Sequence, residues 1–304
     1  LLFGALEAQP TVIRSFPTAP FGSGFPGGLG YDARTGNLFV IDETNKAAYE
    51  VTRTGASVST IDLQALGIIQ PIGGGVDPMG RMLYIAEEIN KKVWEIDLNT
   101  RTVVTMTPTA AYSDPSGLDY NPTGHTVVMS DDAVGVIHEL DLMTKQTITT
   151  LNVKALCGDA DGLGCNTYNG LYIVGDDTGA KIVEIAADGF VMNSWSSKAY
   201  GIQDPEGVCM DPLSGTYFVS TTVAPDTVYE VAGGLTLKPA LTADHVAVAK
   251  GQVVTITLRS DSARWRFGGM ALFTLGGGSI PPLILRQGVL DNRGQIRFKF
   301  KNPG

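Results

Sequence analysis

The sequence is poor in what most catalytic and membrane chemistries need. Only three of its 304 residues are histidine and only three are cysteine. No run of about eighteen apolar residues occurs, so no spanning helix is expected. Cys157, Cys165 and Cys209 form no CxxC pair, which argues against a zinc site. There is no G-x-S-x-G elbow. His125 falls in a turn, His138 in a strand-like stretch and His245 near the C-terminal end, so no Ser-His-Asp or Cys-His constellation is expected. Glycine-rich stretches here punctuate strands and open no helix, so phosphate has no helix N-terminus to sit on. EF-hand loops and RTX nonapeptides are missing too. Charged residues make up only 17% of the chain, and helix-like runs are scarce.

What is abundant is turn and strand chemistry. With 37 glycines and 16 prolines beside frequent Thr, Val and Ile, the composition points to an all-β chain with many turns. Five segments repeat, beginning at Gly28, Gly73, Gly117, Gly162 and Gly207, in steps of 45, 44, 45 and 45 residues. A glutamate keeps the same rhythm at Glu50, Glu95, Glu139, Glu184 and Glu230. Each unit opens on a short Gly-rich strand. Asp32, Asp77, Asn121, Asn166 and Asp211 then start a turn containing Gly36, Gly80, Gly124, Gly170 and Gly215, which are expected to supply positive φ. An apolar strand such as "NLFVID", an alternating strand such as "KVWEI", and a fourth strand follow. Four strands per unit of this length is the signature of a β-propeller blade.

The pattern "LFVID…N…YEV…VSTIDL" resembles the YVTN and NHL propeller families of secreted bacterial proteins over roughly residues 10–238. The resemblance implies a fold and hardly a function, because such propellers serve as scaffolds, binders and enzymes. The chain is therefore read as an N-terminal tail over 1–10, a five-bladed propeller over 11–238, and a small β-sandwich-like domain over 239–304. In that last part "GVLDNRGQIRFKF" loosely resembles a strand pair near the C-terminus of some secreted bacterial proteins.

Charge divides along the same line. Residues 1–238 carry 13 Lys and Arg against 28 Asp and Glu, a net of −15. Residues 239–304 carry nine against three, a net of +6. Arg259, Arg264, Arg266, Arg286, Arg293, Arg297, Lys299 and Lys301 form the candidate basic face. Acid pairs follow the second strands: Asp42-Glu43, Glu87-Glu88, Asp131-Asp132 and Asp176-Asp177. In a propeller these loops open on the same face as the loops that carry Asp114, Asp159 and Asp204. Three readings compete there. The repeated first acid reads mainly as turn chemistry. Asp114, Asp159, Asp161, Asp204 and Glu206 are the nearest candidates for a cation site, with Ca²⁺ the most suitable ion. The acidic face as a whole is a candidate for docking something basic.

Cys157 and Cys165 flank "GDADGLG" and read equally well as a loop disulfide or as buried thiols. Leu1–Leu6 reads as the end of a signal-peptide apolar region or as an anchor. The expected setting is extracellular or the cell surface. The expected role is non-enzymatic binding or self-assembly, head to tail through the two charged parts or with another surface protein or glycan. No nucleic-acid partner is expected. The charge split leaves docking in cis and in trans both open. The alternative is a metal-dependent lactonase or esterase, because "DPEGV" and the Asp series resemble gluconolactonase-like propellers, although those have six blades. Ile13 lies in phase with Val58, Val103 and Ile148, so "TVIRSFPT" is expected to close the ring as the outer strand of the last blade.

Overall fold

The computed structural model describes residues 10–122, 124–166, 170–212 and 214–232 in full and, beyond them, the backbone of seven strands between 240 and 301. The first 20 strands make five four-stranded antiparallel sheets. The outer strand of the last sheet is β1 (Thr11–Pro17). The first blade is β2 (Pro26–Asp32), β3 (Asn37–Asp42), β4 (Ala47–Val51) and β5 (Ser57–Asp62). The second is β6 (Pro71–Asp77), β7 (Met82–Glu87), β8 (Lys92–Asp97) and β9 (Thr102–Pro108). The third is β10 (Pro115–Asn121), β11 (Thr126–Asp131), β12 (Val136–Asp141) and β13 (Gln146–Asn152). The fourth is β14 (Ala160–Asn166), β15 (Leu171–Asp176), β16 (Lys181–Ala186) and β17 (Val191–Ser196). The fifth is β18 (Pro205–Asp211), β19 (Thr216–Thr221) and β20 (Thr227–Ala232), completed by β1.

The inner strands β2, β6, β10, β14 and β18 pack in sequence, and β18 returns to β2, so the blades close a five-bladed ring. Glycine makes that approach possible. A Cβ at Gly117 would collide with the Asp161 carbonyl of the next blade, and one at Gly207 would lie 2.8 Å from the Gly28 backbone. Core residues lie between blades. Phe39 and Ile41 pack with Val76, Leu83 and Ile85, for example. Each such side chain stabilises the ring by about 1.5–3 kcal/mol.

Ring closure follows the phase of the repeat. β1 pairs antiparallel with β20, setting Phe16 opposite Val228 and Ser15 opposite Tyr229. Phe16 enters the core shared by the first and fifth blades. The turns hold one correction. Positive φ falls on Gly36, Gly170 and Gly215 but on Arg81 and His125 in the second and third blades. There the glycine stands one residue too early, so the fourth residue after the Asp or Asn that opens the turn takes the left-handed position whatever its identity.

The chain divides into two compact units, Leu1–Asn166 with Leu171–Thr236, and a second that takes in Leu237–Gly304. In the second, β21 (Ala240–Ala243), β22 (Val253–Arg259) and β27 (Gln295–Lys301) form one sheet. β23 (Arg266–Ala271) pairs with β26 (Leu283–Val289), and β24 (Thr274–Leu275) with β25 (Gly278–Ser279). Arg259, Arg266, Arg286, Arg297, Lys299 and Lys301 lie on these strands. Arg264, Arg293, His245 and residues 1–9 lie outside the described residues.

Candidate functional site

The acids expected on one face split into two layers. The first of each pair is buried and bound by loop amides. Asp42 accepts from the Gly24 and Asn45 amides, both at 2.9 Å. Glu87 accepts from the Ile69 amide at 3.1 Å and from Trp94 Nε1 at 2.7 Å. Asp131 accepts from the Ser113 and Asp114 amides at 2.7 and 2.9 Å. Asp176 accepts from the Gly158 and Asp159 amides, both at 3.2 Å. An acid enclosed by its own loop cannot meet a partner. Asp42, Glu87, Asp131 and Asp176 are therefore removed from the interaction face and assigned to loop anchoring.

The second acids remain half-buried, and with the entry-loop acids they circle the axis. Gln70 Nε2 bridges Glu43 and Glu88 across the first two blades. Glu88 lies within the field of Asp114, and Asp114 within that of Asp159. Asp132 shares a hydrogen bond with Asp159 and feels Asp161. Asp161 feels Glu206 and Asp177, Asp177 is hydrogen-bonded to Asp204, and Glu206 feels Glu43. The circuit of carboxylates is closed.

Burial and mutual repulsion both favour protonation here. Burial, then the Glu206 charge, push Asp161 up to about 8. Burial, then Asp177, push Glu206 up to about 7. Asp132 is raised first by burial and then by Asp159, while the bond from Asp132 holds Asp159 below its usual range. The shared hydrogen bond favours the proton on Asp132 and the charge on Asp159. Asp204 stands at φ 45°, a left-handed setting that costs a non-glycine residue energy.

Asp132, Asp159 and Asp161 place three carboxylate oxygens within 4.8 Å of one another, a grouping able to hold a hard cation. Asp159 also accepts from Thr178 Oγ1 at 2.7 Å, and Asp161 from Ser116 Oγ at 3.3 Å. The expected five-residue cation set is thus regrouped. Asp159 and Asp161 recruit Asp132, Asp204 and Glu206 gather with Asp177, and Asp114 stands between the acids of neighbouring blades.

Cys157 and Cys165 are free thiols in one core cluster with Leu163, Tyr172 and Val174, and the loop disulfide is absent. Cys165 sits within β14 opposite Tyr172 and faces packed side chains. Burial raises both thiols, Cys157 to about 12, so neither is a nucleophile at neutral pH. His138 comes nearer the acidic face than its position suggested. Its Nε2 lies 3.6 Å from Asp131, and its ring stacks on Tyr112 at 3.9 Å. It stands where Trp94 serves Glu87 one blade earlier, so its role is to support the loop.

Two features had no signal in the acid pattern. Gln70 leaves no mark in the repeat because its bridge forms only where two blades meet. Asp119 stands in an inner strand where other blades have Gly30, Gly75 and Gly164, and a comparison along that column would have found it. It accepts from the Cys165 and Tyr120 amides, both at 2.8 Å, and burial pushes it up to about 7.

No protein-family model matches the chain, and no curated protein matches it either. Among solved structures, it is similar to the glutaminyl cyclase of Myxococcus xanthus, with TM-score 0.59 and 19% identity over 74% of this chain and 97% of that one. It is also similar to a structural genomics protein of unknown function from Bacteroides thetaiotaomicron, with TM-score 0.51 and 17% identity over 69% of this chain and 60% of that one. Likeness at this identity establishes the propeller fold alone.

Proposed function

We propose that the chain is an extracellular or cell-surface binding propeller, without chemistry of its own, whose axial mouth takes a basic partner. The observation that carries this reading is the closed circuit of half-buried carboxylates at the mouth, within residues 1–238, whose net charge is −15. Such a field draws cationic surfaces and orients their approach. The +6 segment over 239–304 of another copy supplies a partner of matching sign, and a heterologous contact of that kind extends into a filament when it does not close. A basic surface on another protein, or a cation-bridged glycan, would use the same mouth. Size-exclusion chromatography and electron microscopy across a salt series test it. Assembly is expected at low ionic strength and its loss at high, with Asp177→Asn and Glu206→Gln shifting the transition to lower salt. Assembly indifferent to salt and to both substitutions would overturn the reading.

One observation favours a second reading, a Ca²⁺-dependent hydrolase of lactones or esters. It is the cluster of Asp132, Asp159 and Asp161, whose oxygens are the hard donors Ca²⁺ prefers. A cation there would polarise a carbonyl at the axis. Calorimetry with Ca²⁺ is expected to show binding that Asp161→Asn abolishes, accompanied by turnover in a lactone screen. A chain that binds no Ca²⁺ removes this reading.

A further inference from the structure

The backbone register of the second unit sorts its charge. The three-stranded sheet runs β21–β22–β27, and neither pairing in it is interrupted by a bulge. Residues opposite one another in an antiparallel pair share a face, and faces alternate along each strand. Val254, Ile256 and Leu258 stand opposite Phe300, Phe298 and Ile296, so these positions make one face apolar. On the other face Thr257 stands opposite Arg297, Thr255 opposite Lys299 and Val253 opposite Lys301, with Arg259 at the end of β22. Four of the nine cations in residues 239–304 thus fall on one face of one sheet. The three acids of that segment, Asp244, Asp261 and Asp291, all fall outside its strands.

Antiparallel sheets commonly pack one face and leave the other to solvent, and the hydrophobic effect selects the apolar face for packing. Basic residues on an edge strand such as β27 can serve only to keep the edge from pairing. That purpose does not account for Arg259, which stands on the middle strand. Successive cations on β27 are two residues apart, about 7 Å along an extended strand. A row of like charges with no acid among them favours an anionic partner.

We propose that this face, Arg259 with Arg297, Lys299 and Lys301, is the surface that docks on the carboxylate mouth of a second copy of the chain. The inference rests on the reading of the mouth given above and names its partner. Charge complementarity chooses the occupant. Residues 1–238 carry −15 and gather half-buried carboxylates in one circuit, and the sheet face offers four cations without an acid. Arginine forks onto a carboxylate and lysine adds a point charge, so both suit such a mouth. Face and mouth are different surfaces. The contact is therefore heterologous, and each docked copy keeps one surface for the next.

Sedimentation velocity of the full chain at low salt, over a wide concentration range, tests it with three variants. Arg297→Glu with Lys299→Glu reverses the face. Asp177→Lys reverses part of the mouth. Arg266→Glu with Arg286→Glu makes the same change of net charge on the β23–β26 pair. The face variant and the mouth variant are each expected to need about tenfold higher concentration or more to assemble, and the third to assemble as the unchanged chain does. Mixed together, the face and mouth variants are expected to form dimers of one with the other that grow no further, because one retains its mouth and the other its face. Arg259→Gln, off the edge strand, is expected to lower the salt concentration at which assembly is lost, so the test stays decisive if the double reversal folds poorly. If the face variant assembles unimpaired, or the Arg266→Glu, Arg286→Glu chain loses assembly as fully, the assignment of the face fails while the reading of the mouth stands on Asp177→Lys. A chain that is monomeric throughout, or one whose assembly Asp177→Lys leaves untouched, removes both.

Discussion

Arg53 sits on the turn after β4 and reaches across the ring closure into the fifth blade. Its Nη1 meets Asp211 at 2.6 Å, Nε meets Glu230 at 3.1 Å, and Nη2 meets Thr216 Oγ1 at 2.9 Å. The guanidinium also lies over Phe218. Both carboxylates are buried, and Glu230 also meets Arg14 at 2.9 Å. Removing Arg53 takes the guanidinium from both buried acids, and breaking a buried pair by losing one partner costs about 3–5 kcal/mol. Arg53→Met is expected to lose that much in urea unfolding, and Arg53→Lys to recover only part, because a point charge cannot span both acids. A loss below about 1 kcal/mol, the range of exposed pairs, would mean the latch is ornamental. The repeated glutamates were legible as structural from their period, and Glu50 and Glu230 serve in that way. The direction each acid faces was not legible. A period of 45 marks equivalent positions, but it does not say whether a loop folds its amides onto Asp131 or leaves Asp132 open.

The elements were the most legible level. Inner-strand glycines recur because blades meet there backbone to backbone, so their spacing reports packing directly. β1 could be placed by phase, since Ile13 falls one period before Val58, and it pairs with β20 as the outer strand of the fifth blade. The turns were read less well. Gly80 and Gly124 mark turns correctly, yet the left-handed residues are Arg81 and His125. Arg81 offsets part of that backbone cost through its ion pair with Asp32 of the preceding blade. That pairing lies between repeats and leaves no trace in the alignment of one repeat on another. The cysteines stand eight positions apart, a spacing that left a loop disulfide and buried thiols equally open, and the structure shows the buried thiols in one core cluster.

At the scale of the whole molecule, the mouth ties stability to pH. Asp161, Asp132, Glu206 and Asp119 all have folded-state proton affinities above those of an unfolded carboxyl group. A raised carboxyl binds more protons folded than unfolded, so its contribution to stability falls as pH rises from the unfolded value to the folded one. That window runs from about 4, the ordinary carboxyl value, up to about 8 for Asp161. His138 acts in the opposite sense. Burial lowers it, so it destabilises the fold in acid, and its effect ends once pH passes about 6.5, the ordinary imidazole value. Between about 6.5 and 8 the carboxyls act without that opposition. The melting temperature is expected to fall through this interval in metal-free buffer, and Asp161→Asn is expected to flatten the fall. Ca²⁺ gives the two readings of the mouth different outcomes. If the Asp132, Asp159 and Asp161 cluster holds the ion, Ca²⁺ will restore the melting temperature most at the alkaline end, where those carboxylates are ionised and repel one another. If the mouth only attracts basic surfaces, Ca²⁺ will do no more than an equal ionic strength of sodium chloride. A melting temperature that stays level or rises from the lower to the upper end of the interval would show that the circuit of carboxylates does not carry the strain assigned to it.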